Sequence, residues 1–310
     1  MRSGETFIEA SHLVKDYGSV RAIDGLSFDT GASVLALVGP NGAGKTTFVK
    51  IATCLLKPTS GTLRVLGLDV TSDSEELRRR ISLLPQDASP DTGATPLEHV
   101  AYYLFARGYS MADARARARE VLERLGLWDH RDKQCLRLSG GMRRLVLLAM
   151  ALAPDVDAVF LDEPTSGLDP VNRVRIWGEV KRMSKEGVRV LVTSHEMDEV
   201  EENSDEVVMI NRGRLVARGP PGVLASEVSG LARVEVTLPG EGAYERVREA
   251  LSGLTSVKGV YKVGSVAVAY VEKHAAAEAA ARISEAGGGL DVKVGRCGLK
   301  DAFFRRVMQP

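Results

Sequence analysis

At 310 residues the chain exceeds one small domain and implies two, on a prior of roughly 100 to 200 residues per domain, and its 44% apolar content allows a sizeable core. Lysine plus arginine number 41 and aspartate plus glutamate 41, so no net field favours nucleic acid or an anionic surface. No apolar run reaches the ~18 residues that a membrane-spanning helix needs; Leu145 to Ala153 has about half that length.

The first half reads as alternating strands and helices. Strands are expected at Phe7 to Val14 and Ile23 to Phe28, and Ser33 to Val38 is a nearly continuous apolar strand ending at Gly39. A glycine-rich turn then leads into a helix over Lys45 to Leu56, giving strand, phosphate loop, helix. After a strand at Ile81 to Leu84, Thr95 to Leu127 shows helical spacing, with an exposed helix over Ala112 to Leu125. Met142 to Ala153 is amphipathic. Buried strands at Ala158 to Leu161 and Val188 to Thr193 flank a helix at Val171 to Ser184, and Val207 to Asn211 with Arg214 to Ala217 form a hairpin around Arg212-Gly213. Composition shifts at Gly219-Pro220-Pro221-Gly222. Beyond a short helix, strand (Arg233 to Leu238), helix (Tyr244 to Leu254), strands (Val257 to Val263, Val266 to Val271), helix (Ala275 to Ala286) and strand (Asp291 to Val294) give the βαββαβ order of ferredoxin-like folds, followed by a helix at Lys300 to Met308.

Gly39-Pro40-Asn41-Gly42-Ala43-Gly44-Lys45-Thr46-Thr47 has Walker A spacing between a strand and a helix. Its glycines let backbone N–H groups wrap phosphates; Lys45 is expected at the β/γ-phosphates, Thr46 on Mg²⁺ and Thr47 near the α-phosphate. Val159 to Glu163 is an apolar strand ending in two carboxylates, of which Asp162 suits Mg²⁺ and Glu163 suits the attacking water. Leu138-Ser139-Gly140-Gly141-Met142 opens a second helix whose free N–H groups suit a phosphate. Two phosphate-binding helix starts on different lobes point to ATP shared between two copies.

These motifs resemble the ATP-binding subunits of ABC (ATP-binding cassette) transporters over about Glu5 to Leu224. The resemblance implies an α/β fold: a P-loop NTPase cassette with a RecA-like core, a β-subdomain and a helical subdomain inserted at about 87–150, together spanning residues 1–225. A small α+β, ferredoxin-like accessory domain would occupy 226–310. It identifies Pro164 to Asp169 with the D-loop, His195 with the switch histidine at the γ-phosphate, Gln86 with the Q-loop glutamine that reaches Mg²⁺ or water, and Tyr17 with the aromatic that stacks on adenine. Ser139, Gly140, Gly141 and Asp169 would meet the nucleotide held by the opposite subunit. Catalysis would then rest on Lys45, Gln86, Glu163 and His195, and Mg²⁺ on Thr46, Gln86 and Asp162.

The fifth signature residue is Met142 where glutamine is commonest, and Arg143-Arg144 follow it. That variant is similar to the ABC-2 branch of exporter ATPases that includes the daunorubicin-resistance subunits, and Leu299 to Phe304 is similar to the ending of the same branch, although a packing role for Phe303 and Phe304 is the preferred reading. The resemblance implies an ATPase that forms a homodimer, or pairs with a related ATPase, and drives a separate membrane permease from the cytoplasmic face, with no nucleic-acid partner. Three distant cysteines without metal-ligand spacing (Cys54, Cys135, Cys297) and no secretory signal agree with a reducing compartment. The alternatives are an importer ATPase with a C-terminal regulatory domain and a soluble ABC ATPase uncoupled from transport; the latter type carries two cassettes or a long coiled coil, and this chain has neither.

Overall fold

The computed structural model describes residues 6–287 and 290–308, so Glu5, at the start of the sequence resemblance, lies outside the described residues. The chain divides into two compact units, Met1–Pro220 and Pro221–Pro310. This places the division five residues before the one drawn from sequence: the short helix Pro221–Ser226 belongs to the second unit, where it packs on the terminal helix Leu299–Met308.

In the first unit, β1 (Ile8–Tyr17), β2 (Val20–Thr30), β4 (Ser60–Val65) and β5 (Leu68–Asp69) form an antiparallel sheet in the order β2-β1-β4-β5. The core sheet comprises β3 (Val34–Val38), β6 (Ile81–Leu84), β7 (Ala158–Asp162), β8 (Arg189–Ser194), β9 (Glu206–Asn211) and β10 (Arg214–Gly219), in the order β10-β9-β3-β8-β7-β6. The pairs from β9 to β6 are parallel, so this sheet is covered on both faces. Alternation along each strand divides the two cores. Leu35, Leu37, Phe160 and Leu191 pack with Phe7, Phe28 and Phe48 on α1 (Lys45–Ala52). Val34, Val159, Leu161, Val190 and Val192 face the core shared with α3 (Pro96–Ala106), α4 (Met111–Arg124), α5 (Gly140–Leu152) and α6 (Pro170–Lys185).

Several local features depart from the sequence reading. Helix α1 stops at Ala52 instead of Leu56, because Cys54 turns into the left-handed region (φ 58) and the Leu55 and Leu56 N–H groups fold back onto the Lys50 carbonyl. Strand β4 and helix α2 (Ser74–Arg80) were not anticipated: β4 buries only Leu63 and Val65 and begins Ser-Gly, while α2 buries only Leu77.

The second unit adds α8 (Pro221–Ser226), β11 (Leu231–Thr237), α9 (Ala243–Leu251), β12 (Val257–Val263), β13 (Val266–Glu272), α10 (Ala276–Gly287), β14 (Val292–Arg296) and α11 (Leu299–Met308); the remaining helix of the first unit, α7, is Met197–Asn203. The sheet of the second unit is antiparallel in the order β12-β13-β11-β14: β12 and β13 form a direct hairpin, while α9 links β11 to β12 and α10 links β13 to β14, so that β11 lies between β13 and β14. Val234, Val236, Ala267 and Ala269 pack under α9 and α10. Val268 and Tyr270 on the other face pack with Ala302 and Phe304 of α11, where the Phe304 ring meets Tyr261 edge-on at 5.5 Å. Phe303 is buried as well, so the terminal aromatics serve packing.

Candidate functional site

Parallel strands present their C-terminal ends on one edge of a sheet, and ligands of open α/β folds bind outside those ends. Four adjacent strands do so here. The turn after β3 carries the phosphate loop, Gln86 follows β6, Asp162 ends β7 with Glu163 after it, and Thr193-Ser194-His195 closes β8. The register holds these ends level: Val38 pairs with Ser194, Asp162 with Thr193, and Leu84 with Leu161.

Within the phosphate loop, Lys45 Nζ donates to the Gly39 carbonyl at 2.8 Å and the Pro40 carbonyl at 3.3 Å, and forms an ion pair with Glu163 Oε1 at 3.4 Å. Both side chains of that pair are buried. His195 Nδ1 lies 3.4 Å from Glu163 Oε2, on a ring that remains half exposed. Thr46 Oγ1 donates to Gln86 Oε1 at 3.0 Å. Glycine is required at two points of the loop. A Cβ on Gly39 would stand 2.2 Å from the Ile210 carbonyl oxygen, and Gly44, at φ 105, would put one 2.5 Å from the Ala22 carbonyl oxygen. Pro40, Asn41, Gly42, Ala43 and Thr47 complete the loop, closed by the Ala43 N–H on the Pro40 carbonyl and by the Gly213 N–H on the Ala43 carbonyl.

The acidic end of β7 is over-determined. Thr193 Oγ1, fully buried, donates to Asp162 Oδ1 at 2.5 Å and accepts the Glu163 N–H at 2.9 Å. Burial pushes the Asp162 carboxyl above the ordinary carboxylate range, while the Thr193 hydroxyl works against that shift. Glu163 adopts φ 49, a left-handed conformation that costs a non-glycine residue about 1–3 kcal/mol. Arg144, from α5, donates to the carbonyls of Pro85, Gln86, Asp162 and Glu163 at 2.9–3.1 Å. Its burial lowers its pKa, opposed by Asp162 and Glu163.

The residues expected at a nucleotide thus fall into groups. Lys45, Thr46, Gln86, Asp162, Glu163 and His195 are joined by the contacts above. Ser139, Gly140, Gly141 and Asp169 belong elsewhere: Ser139 caps α5 through the Met142 N–H at 3.2 Å, and a Cβ on Gly141 would meet the Leu168 side chain at 3.3 Å. Asp169 caps α6, accepting from Asn172 N and Nδ2, and its carboxyl is held below the usual range by those bonds. Ser139, Gly140 and Asp169 are exposed. Tyr17, at the tip of the β1–β2 hairpin, is 47% exposed with Lys15 Nζ over its ring; the return strand of that hairpin touches the phosphate loop at Ala22. Met142 stands partly buried against the core around α5.

Thr193 and Arg144 escaped sequence reasoning as site residues. A threonine on an apolar strand reads as a strand former, and nothing in sequence distinguishes one that bridges two carboxylate-bearing residues. Arg144 belonged to the Met-Arg-Arg variant, which was the available signal.

Comparison with known proteins agrees with this geometry. The ABC transporter family model matches residues 23–166. The daunorubicin/doxorubicin resistance ATP-binding protein DrrA of Streptomyces peucetius is 43% identical over 71% of this chain and 67% of its own length. The Nod factor export ATP-binding protein I of Burkholderia orbicola (strain AU 1054) is 34% identical over 81% of this chain and 83% of its own. Among solved structures, dimeric MJ0796, a bacterial ABC transporter cassette, superposes with a TM-score of 0.64 at 26% identity, covering 69% of this chain and 98% of that one. An ATP-binding subunit of an ABC transporter matches with the same TM-score at 25% identity, over 70% of this chain and 91% of its own. Taken with the strand-end arrangement of the site, these similarities establish that the chain belongs to the ATP-binding proteins of ABC transporters and is an ATPase of that family.

Proposed function

We propose that this chain is the ATPase subunit of an exporter, working as a dimer on the cytoplasmic face of a membrane and driving a separate permease. The observation that carries the enzymatic part is the cluster of Lys45, Glu163 and His195 at adjacent strand ends. Lys45 is assigned to the β/γ-phosphates, His195 to the γ-phosphate and Glu163 to the attacking water as general base. Arriving phosphate oxygens compete with Glu163 for the Lys45 ammonium and so free the carboxylate for that water. Tyr17 supplies a ring for adenine; Gly39 to Thr47 supply the backbone cradle.

Thr46, Gln86 and Asp162 offer the hydroxyl, amide and carboxylate oxygens that Mg²⁺ prefers, and the 3.0 Å approach of Thr46 to Gln86 beside the buried Asp162 fits such an ion. Bound there, Mg²⁺ would neutralise developing phosphate charge. Ser139, Gly140, Gly141 and Asp169 are assigned to a second nucleotide, held by the partner subunit, because none of them joins the contacts around Lys45 and all but the half-buried Gly141 are exposed. The partner is either an identical chain or a related ATPase.

Export is supported by the relatives named for drug resistance and Nod factor export. No helix among the described residues is long and apolar enough to cross a membrane, in keeping with a separate permease. Pull-down of the tagged chain from detergent-solubilised membranes tests the assignment: a stoichiometric polytopic partner without a solute-binding protein is expected, and recovery of soluble partners alone would refute it. A Glu163→Gln chain is expected to bind ATP and elute as a dimer. Elution as a monomer with saturating ATP would refute the shared site.

A further inference from the structure

Two neighbouring strands end in residues assigned to chemistry, and one side chain from a different helix holds both ends. The Arg144 fork divides its nitrogens between them. Nη1 donates to the Pro85 and Gln86 carbonyls, each at 3.0 Å, after β6; Nη2 donates to the Asp162 and Glu163 carbonyls, at 2.9 and 3.1 Å, after β7. Four carbonyl dipoles therefore converge on one cation, an arrangement that a planar guanidinium fills and a single ammonium nitrogen cannot.

The Glu163 peptide needs such support. Its φ of 49 is unfavourable for glutamate, its N–H is fixed by Thr193, and its carbonyl is shared by Arg144 and the Ser166 N–H. With one bond lost, the left-handed turn can relax and swing the carboxylate away from Lys45 and His195. Arg144 also stands one turn into α5 from Gly140, whose N-terminal end is assigned to the partner's nucleotide.

We propose that Arg144 is a positioning residue for hydrolysis: it locks the backbones of Gln86 and Glu163 in register with each other and ties them to the helix that begins with Gly140-Gly141. This rests on Glu163 as the base, as assigned above. Arg144 makes none of the contacts assigned to phosphate or adenine, so its loss acts on turnover and spares nucleotide affinity.

The test uses the full chain with Arg144→Lys and Arg144→Met, measuring ATP hydrolysis against ATP concentration, equilibrium binding of ATP and thermal unfolding. Displacing a catalytic group by ~1 Å costs on the order of 10²-fold in rate, so kcat is expected to fall by at least about tenfold in both variants. The Kd for ATP should stay within about twofold, a change of under ~0.5 kcal/mol, and Arg144→Lys should retain the unfolding temperature. Wild-type kcat in Arg144→Lys would overturn the proposal, since charge alone would then suffice. Parallel loss of kcat, ATP affinity and unfolding temperature would overturn it too, by showing a general structural role. Glu163→Gln run alongside separates the claims: an active Glu163→Gln overturns the assignment of the base, whereas a fully active Arg144→Lys beside an inactive Glu163→Gln overturns the positioning role alone.

Discussion

Replacing Thr193 by valine keeps the shape of a fully buried strand residue and removes one oxygen that serves two neighbours. That oxygen donates to Asp162 Oδ1 at 2.5 Å and accepts the Glu163 N–H at 2.9 Å. The orphaned buried N–H costs about 1–3 kcal/mol, and the lost bond to a carboxylate a further ~1.5–3 kcal/mol. The two losses share one site and will not add fully; a net cost of about 3 kcal/mol is expected, or roughly 6–12 °C in the unfolding temperature of a unit of this size. Because Thr193 opposes the upward shift of Asp162, its removal also raises that pKa further. Freed from one anchor, the Glu163 turn should relax, and ATP turnover should fall by at least about tenfold. Thermal melts followed by circular dichroism, paired with hydrolysis rates, read both effects. Thr193→Ser, which keeps the oxygen, is the control. A Thr193→Val protein that melts within about 2 °C of wild type and hydrolyses ATP normally would refute the claim that this hydroxyl holds the acidic turn.

Four further outcomes are expected. Gly44→Ala should weaken ATP binding by about tenfold or more, as the new Cβ meets the Ala22 carbonyl at 2.5 Å on a backbone at φ 105, and equilibrium titration with ATP measures it. Asp162→Asn should raise the nucleotide-free melting temperature more at pH 7.5 than at pH 4.5: the folded chain holds the Asp162 proton after the unfolded chain has lost it, so wild type loses stability as pH rises from the ordinary carboxylate pKa through the raised one. Burial raises all three thiols, Cys297 to about 11, so at pH 8 only about one Cys297 in a thousand is thiolate and a disulfide reagent should label the native chain far more slowly than the unfolded one. Tyr270→Phe removes the hydroxyl that donates to buried Asp301 at 2.9 Å; about 1–3 kcal/mol should be lost in the second unit, seen as faster hydrogen exchange in β11 and β13 with ATP turnover unchanged.

Legibility in the sequence followed the range over which each signal acts. The phosphate loop and the acidic strand are readable because their chemistry is set by residues consecutive in the chain, whereas Gln86 and His195 stand out only through the family resemblance, by their order after β6 and β8. Strand β6 was placed to the residue, and β3, β7 and β8 to within one. Strand β4 was not, since a Ser-Gly opening and two inward residues give too short an alternation to register against a loop. The end of α1 was misplaced by a left-handed cysteine, which no propensity anticipates. In sequence Arg144 shows only as part of the Met-Arg-Arg variant; its four acceptors lie 18–59 residues away, and that distance hides its task.

The energetics of Lys45 and Glu163 explain why the site is built from strained and buried parts. An ion pair withdrawn from water returns less in mutual attraction than its desolvation costs unless further bonds satisfy both groups. Here Lys45 is satisfied by the Gly39 and Pro40 carbonyls, while Glu163 has Lys45 and His195 at 3.4 Å, longer than good hydrogen bonds, and sits on a left-handed backbone. Such a pair adds little to stability, and its worth lies in what can replace it. On the assignment proposed above, a triphosphate would bring oxygens that satisfy Lys45 better than a carboxylate at 3.4 Å does, and the same exchange would leave Glu163 with an unused acceptor beside His195. With Glu163 as the proposed base, the binding step and the exposure of that base would be one event, with Thr193 on the amide side and Arg144 on the carbonyl side keeping the turn from collapsing once the pair has parted.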